Sequence, residues 1–232
     1  MCDKIIENGG CFMRKEKRMI PTENNDFNYF VYTPNNVIDN MPVLLFLHGI
    51  GERGDKIENI EKYAIPKYMN SIDIPFIVIA PQCHDNNFWD YHLREVEKII
   101  DIESKNFNFD RGNIFICGYS MGAYGAWNYL MQRPKLFKGI ISVSGGTMLK
   151  LDYDLNKLKD KPILIYHGDS DNVVDVSEST LVYDKLIKCG AKDVTLKILP
   201  GIDHHITDIV FGDNHIYDWL EEKSGIKFKE VS

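Results

Sequence analysis

The sequence predicts an α/β fold, in which a mostly parallel central sheet is flanked by helices on both faces. Short, continuous apolar runs are typical of strands that are buried on both faces. These runs alternate along the chain with amphipathic, helix-like stretches, which is the pattern of a parallel sheet. The chain has 232 residues, of which 44% are hydrophobic, so we expect a single domain spanning 1–232 with one sizeable core.

The strands are predicted from apolar runs bounded by turn residues. The clearest is Val43–Leu47, which follows Pro42 and contains no polar residue. Phe12–Ile20 and Phe27–Thr33 are predicted to pair as an antiparallel hairpin at the sheet edge, so that 1–26 forms an edge hairpin or extension. The other predicted strands are Phe76–Ala80, Asn113–Cys117, Gly139–Val143, Pro162–Tyr166 and Val194–Leu199.

The helices are predicted from the spacing of apolar residues and from helix-stop signals. Trp89–Ser104 places four aliphatic residues on one face, and Gly190 is a favourable stop for a helix over Ser177–Cys189. The other predicted helices are Glu58–Met69, Met121–Gln132 and Ile206–Glu221.

Composition and charge exclude several classes of protein. The aromatic content of 12% argues against disorder, and the net charge of −7 argues against a general nucleic-acid binder, which needs a basic face. The apolar runs are too short to span a bilayer, so we expect no membrane partner. The cysteines are odd in number and form no CxxC pair, which favours free thiols and a cytoplasmic location: Cys2, Cys11, Cys83, Cys117 and Cys189.

A candidate nucleophile lies where a predicted strand meets a predicted helix. Gly118-Tyr119-Ser120-Met121-Gly122 has the pattern G-x-S-x-G, in which a sharp turn lifts the serine hydroxyl out of the sheet. Glycines on each side of Ser120 remove the Cβ atoms that would collide in such a turn. The following helix points its amino end at the same spot, where negative charge would be stabilised.

A serine nucleophile needs a base and an orienting carboxylate. His204 and His205 follow the last predicted strand, and their spacing alone does not choose between them. Asp169, Asp171 and Asp175 follow the preceding strand and are the candidate carboxylates: Asp169 could form a turn, and Asp175 lies near a helix start. The order serine, aspartate, histidine along the chain is the order expected for this architecture.

A tetrahedral oxyanion needs two backbone N–H donors. Met121 would supply one donor. The glycine-rich loop His48–Gly54 would supply the other, from Ile50 or alternatively Gly51, while His48 is predicted to brace the loop.

These motifs together resemble an α/β-hydrolase, over most of the chain from Phe27 to Leu220. The segments LHGIGERG and APQC followed by Trp89 are similar to a carboxylesterase branch that includes dienelactone-hydrolase-like proteins, feruloyl and acetyl-xylan esterases and predicted serine peptidases. The resemblance implies that Asp171 and His204 complete the triad, with oxyanion donors at Ile50 and Met121. Asp203, which precedes the histidine, departs from the small residue common in the family.

Other residues receive structural or pocket roles. Gln82, Trp89 and Tyr119 lie near strand carboxyl ends and are predicted to line the substrate pocket, with a core role as the alternative for Trp89. A core role is expected for Tyr124, Trp127 and Trp219. No HExxH motif or paired Cys/His spacing occurs, so we expect neither a metal nor another cofactor.

The predicted function is hydrolysis of carboxylic esters through an acyl-enzyme intermediate. In this fold a lid domain is often inserted after the strand that follows the nucleophile turn. Here the connection at that place is only the short segment 145–161, so no lid domain is expected. An open cleft favours small-molecule esters with short acyl groups or a sugar-linked alcohol. The alternatives are a serine peptidase or amidase on the same fold, and a non-catalytic binding protein. The sequence does not indicate an oligomeric state.

Overall fold

Apolar and alternating runs form eight strands of one sheet within the residues that the structure describes. The structure, a computed structural model, describes residues 13–22, 26–72, 74–147 and 154–226. The strands are β1 (Met13–Ile20), β2 (Phe27–Pro34), β3 (Val43–Leu47), β4 (Ile77–Pro81), β5 (Ile114–Tyr119), β6 (Gly139–Val143), β7 (Ile163–Gly168) and β8 (Val194–Leu199). Their order in the sheet is β1-β2-β4-β3-β5-β6-β7-β8.

The sheet is parallel from β4 to β8 and antiparallel at one edge. β1 pairs antiparallel with β2, and β2 pairs antiparallel with β4. The predicted α/β fold class and the edge hairpin are therefore confirmed; Phe12 lies outside the described residues. Because β3 and β5 to β8 run in the same direction, the loops after their carboxyl ends lie along one edge of the sheet.

Helices cover both faces of the sheet. Side chains of α2 (Leu93–Phe107), α3 (Met121–Gln132) and α4 (Ser177–Lys188) pack into one hydrophobic cluster. Side chains of α1 (Ala64–Tyr68), α5 (Thr207–Phe211) and α6 (His215–Ser224) pack into a second cluster on the opposite face. Burying apolar surface on both faces stabilises the sheet and keeps its strands in register.

Three predicted helices differ from the structure. In place of the helix over Trp89–Ser104, Trp89–Tyr91 forms a 3-10 turn and α2 runs over Leu93–Phe107. The helix over Glu58–Met69 is wrong: Ile57–Lys62 forms a 3-10 helix, and α1 begins only at Ala64, whose φ of 53° is incompatible with a continuous helix. The helix over Ile206–Glu221 is divided into α5 and α6, and the break begins at Gly212, a residue type of low helix propensity.

The structure describes part of the segment 145–161, which is expected to carry no lid domain. Residues 154–161 contain one 3-10 turn, Leu155–Leu158, while 148–153 lie outside the described residues. Within the described ranges, no helix combines the length and apolar character needed to cross a membrane.

A buried carboxylate attaches the edge hairpin to α2. Glu103 is fully buried, and its Oε1 accepts a hydrogen bond of 2.6 Å from the Tyr29 hydroxyl. Its Oε2 pairs with the guanidinium of Arg18 and accepts a 3.1 Å hydrogen bond from the Asn106 amide. Burial of a carboxylate is tolerated here because each oxygen has donors.

We expect Glu103→Ala to lower the free energy of unfolding by about 3 kcal/mol, because it removes the buried partner of Arg18 and leaves the Tyr29 hydroxyl without its acceptor. Urea denaturation measures this loss. Glu16→Ala is the matched control: it removes the exposed partner of Arg18 and should cost less than about 0.5 kcal/mol. Equal losses in the two variants would contradict the assignment of the stability to Glu103.

Candidate active site

Ser120 lies at the turn between β5 and α3 in a strained backbone conformation. Its φ of 52° and ψ of −119° are unfavourable for a residue with a side chain. Two glycines make the turn possible: a Cβ on Gly118 would lie 2.1 Å from the Gly122 carbonyl oxygen, and one on Gly122 would lie 1.9 Å from the Leu47 carbonyl oxygen. The turn brings the Ser120 hydroxyl to the edge where the parallel strands end.

The structure brings the side chains of Ser120, His204 and Asp171 together. His204 Nε2 lies 2.9 Å from Ser120 Oγ, and His204 Nδ1 lies 2.7 Å from Asp171 Oδ2. A carboxylate oxygen only accepts hydrogen bonds, so Nδ1 carries the hydrogen and Nε2 is left to accept from the serine hydroxyl. These contacts join the loops after β5, β7 and β8.

The Asp171 carboxylate is buried but well supplied with donors. Its Oδ1 accepts hydrogen bonds from the backbone amides of Val173 and Val174, at 2.9 and 2.8 Å. Burial alone raises the pKa of this carboxyl, but the hydrogen bonds from Val174, His204 and Val173 outweigh it and hold the pKa of Asp171 below its usual range. Asp171 is therefore ionised at neutral pH and can stabilise a positive charge on His204.

The other two candidate aspartates bind backbone amides. Asp169 Oδ1 accepts from the amide of Gly201 at 2.7 Å and fixes the turn after β8. Asp175 Oδ1 accepts from the amide of Ser177 at 2.8 Å, at the start of α4.

His204 rather than His205 faces the serine. The Tyr119 hydroxyl donates to the His204 carbonyl at 3.2 Å, and the Ser144 hydroxyl donates to the same oxygen at 3.4 Å. His205 projects outward, with 75% of its side chain exposed. Asp203, the departure noted in the sequence, accepts from the backbone amide of His205 at 2.9 Å.

A braced loop after β3 fixes the orientation of a backbone amide. His48 Nδ1 donates to the Gly49 carbonyl at 2.6 Å, and His48 Nε2 accepts from the Cys83 amide at 2.9 Å. The C=O and N–H of a trans peptide point in opposite directions, so holding the Gly49 carbonyl inward turns the Ile50 N–H outward. Arg53 binds the Ile50 carbonyl at 3.1 Å and supports the same turn.

The first turn of α3 offers a second amide. Met121 is the first residue of this helix, and the N–H groups of a first helical turn have no partner within the helix. Met121 and Ile50 both line the cleft that contains Ser120.

The Ser120 hydroxyl opens into a cleft of about 420 Å³. Trp89 forms one wall and is held by a 3.0 Å hydrogen bond from its indole N–H to the His48 carbonyl. Gln82 is not among the residues that line the cleft: its amide group donates to the Glu52 and Lys56 carbonyls in the segment after β3. Tyr119 likewise does not line the cleft, and it supports His204 instead.

Several cleft residues were not predicted from the sequence. Tyr124 was expected in the core, but it lines the cleft because α3 starts at the Ser120 turn. Large apolar side chains surround the cleft mouth and are about half or more exposed: Ile50, Phe88, Tyr91 and Val173. Their position in loops after the carboxyl ends of strands could have indicated a place near the cleft. Spacing along a loop, however, does not show in which direction a side chain points.

The described residues contain no group of three or more His, Cys, Asp or Glu side chains that could hold a metal ion. Cys117 is buried in β5, and burial raises the pKa of its thiol well above the usual value, which fits a packed thiol.

Two buried histidines predict a pH-dependent stability. Burial lowers the pKa of His48 and of His92 to about 4, so both stay neutral in the folded protein while they are protonated in the unfolded chain below about pH 6.5. The unfolded state then binds more protons, and stability falls as pH falls through this window.

We expect the free energy of unfolding to drop between pH 7 and pH 5.5 by about 1 kcal/mol for each of these histidines. Urea denaturation at the two pH values measures the drop. His92→Phe should reduce it, whereas His205→Ala, a change at an exposed histidine, should leave it intact. The account fails if His92→Phe shows the wild-type drop.

Comparison with proteins of known sequence places the chain in a family. A model of the phospholipase/carboxylesterase family matches residues 78–220. A bifunctional acetylxylan esterase/xylanase from Neocallimastix patriciarum is 25% identical over 153 residues, which cover 64% of this chain and 22% of that protein. Acyl-protein thioesterase 1 homolog 1 from Dictyostelium discoideum is 32% identical over 114 residues, which cover 47% of this chain and 49% of that protein.

The match to these two relatives therefore spans between about a fifth and a half of their length. Among solved structures, a thermostable esterase superposes with a TM-score of 0.74 at 28% identity, covering 91% of this chain and 63% of that one. With the family model matching more than half of the sequence, the chain belongs to the phospholipase/carboxylesterase family of α/β-hydrolases.

Proposed function

We propose that the protein hydrolyses small-molecule carboxylic esters with Ser120 as nucleophile, His204 as general base and acid, and Asp171 as the group that orients His204. One observation carries this proposal: an unbroken series of short contacts runs from Ser120 Oγ through both nitrogens of His204 to Asp171 Oδ2. The hydrogen-bond directions in this series suit removal of the serine proton.

In the first step, Ser120 Oγ attacks the acyl carbon while His204 Nε2 takes the hydroxyl proton. The protonated imidazole then gives this proton to the leaving alcohol, and the acyl group stays on Ser120 as an ester. A water molecule attacks this ester, with its proton taken by His204. Collapse of the second intermediate releases the carboxylic acid and restores the Ser120 hydroxyl.

The Ile50 and Met121 amides are the proposed donors to the oxyanion of each tetrahedral intermediate. The brace formed by His48 on the Gly49 carbonyl supports this role for Ile50, because the amide is oriented before substrate arrives. Such a preorganised donor is worth about 10²–10³ in rate.

The shape of the cleft favours ester substrates that have a short acyl group, or a bulky alcohol such as a sugar. Its mouth is bordered by exposed side chains, and the described part of 145–161 contributes a single 3-10 turn instead of a lid. An open mouth leaves space for a large leaving group but offers little cover for a long acyl chain.

We expect Ser120→Ala to lower kcat/KM for p-nitrophenyl acetate by at least about 10³-fold, because the acyl-enzyme can no longer form. Ser170→Ala is the control, since this exposed serine lies in a neighbouring loop and should leave turnover unchanged. Full turnover by Ser120→Ala would refute the proposed mechanism.

We expect p-nitrophenyl acetate to be hydrolysed with a higher kcat/KM than p-nitrophenyl dodecanoate, because the described cleft does not enclose a long chain. Initial rates over a series of acyl lengths measure this preference. A clear preference for the C12 ester would contradict the short-acyl assignment.

A further inference from the structure

A second buried imidazole contacts the carboxylate of Asp171. His167, in β7, has a side chain with 0% exposure, and its Nε2 lies 3.2 Å from Asp171 Oδ2. This is the same oxygen that His204 Nδ1 binds at 2.7 Å. Both imidazoles therefore lie close to one carboxylate oxygen, His167 from strand β7 and His204 from the loop after β8.

The surroundings of His167 fix which of its ring nitrogens carries a hydrogen. Nε2 lies 2.9 Å from the Val174 carbonyl as well as near Asp171 Oδ2, and both of these oxygens only accept. Nε2 therefore carries a hydrogen. On the other side of the ring, Nδ1 lies 2.7 Å from Ser179 Oγ, whose hydroxyl also lies 2.8 Å from the Gly145 carbonyl.

His167 and Asp171 hold the same turn from two directions. The Val174 carbonyl binds His167, while the Val173 and Val174 amides bind Asp171 Oδ1. The carboxylate thus has no freedom to rotate away from His204 without breaking contacts on both of its oxygens.

We propose that His167 is a positioning residue for the reaction: its Nε2–H binds the Val174 carbonyl and so holds the turn whose amides bind Asp171 Oδ1, which keeps Asp171 Oδ2 directed towards His204. This inference rests on the proposed function. The polar edge of the His167 ring also lies beside the oxygen that would stabilise the protonated His204.

The charged or titratable groups facing His167 determine how its replacement should change the pH dependence of the rate. They are Asp171, Asp175, whose charge interacts with His167, and His204 beyond Asp171. Removing the Nε2–H donor releases the Val174 carbonyl, which loosens the amides that bind Asp171 Oδ1 and leaves more negative charge on the carboxylate. The protonated form of His204 is then favoured, so the acid limb of the rate profile should move to higher pH.

The test measures the rate at which a fluorophosphonate labels Ser120, across a range of pH, in the wild type and in His167→Leu, His167→Gln and His205→Leu. We expect His167→Leu to label about tenfold more slowly at neutral pH, with the acid limb displaced to higher pH. His167→Gln, which keeps an N–H donor, should recover rate and midpoint in part. His205→Leu, a change at an exposed neighbour, should match the wild type.

Ser179→Ala covers the case in which His167→Leu does not fold. It removes the partner of Nδ1 without touching the ring, and we expect a smaller displacement of the acid limb in the same direction. A folded His167→Leu or Ser179→Ala protein with the wild-type midpoint overturns the inference. If the wild type itself is not labelled, the proposed function fails instead, so the two failures are distinguishable.

Discussion

The proposed chemistry depends on one buried carboxylate that stays ionised. Asp171 is shielded from water, and an isolated charge in that position would be costly. Two backbone amides and the His204 imidazole donate to its oxygens, and this set of donors replaces the missing water. The position of His204, and through it the contact with Ser120, follows from where this carboxylate is held.

The sheet explains how distant segments reach that carboxylate. β5, β6, β7 and β8 are consecutive parallel neighbours, so the loops that carry Ser120, Asp171 and His204 leave the same edge. The two glycines around Ser120 allow α3 to approach β3 closely, and the loop after β3 then lies beside the serine. Apolar packing on both faces thus fixes the geometry of polar groups at the rim.

Sequence was sufficient wherever local chemistry determines structure. The apolar strands, the serine turn and helix α3 were predicted because burial periodicity and glycine placement are local properties. The choice between His204 and His205 required the family resemblance, because adjacent loop residues differ only in side-chain direction. The placement of Gln82 and Tyr119 outside the cleft lining, and the contact between His167 and Asp171, depend on tertiary packing that spacing does not encode.

The most direct measurement of the central claim is mass spectrometry of the protein quenched with acid during turnover of p-nitrophenyl acetate. The account predicts that one acetyl group is found on the peptide containing Ser120, and that it disappears as substrate is exhausted. Continued turnover with no acetyl group on that peptide at any quench time, or with the acetyl group on a different residue, would contradict the account.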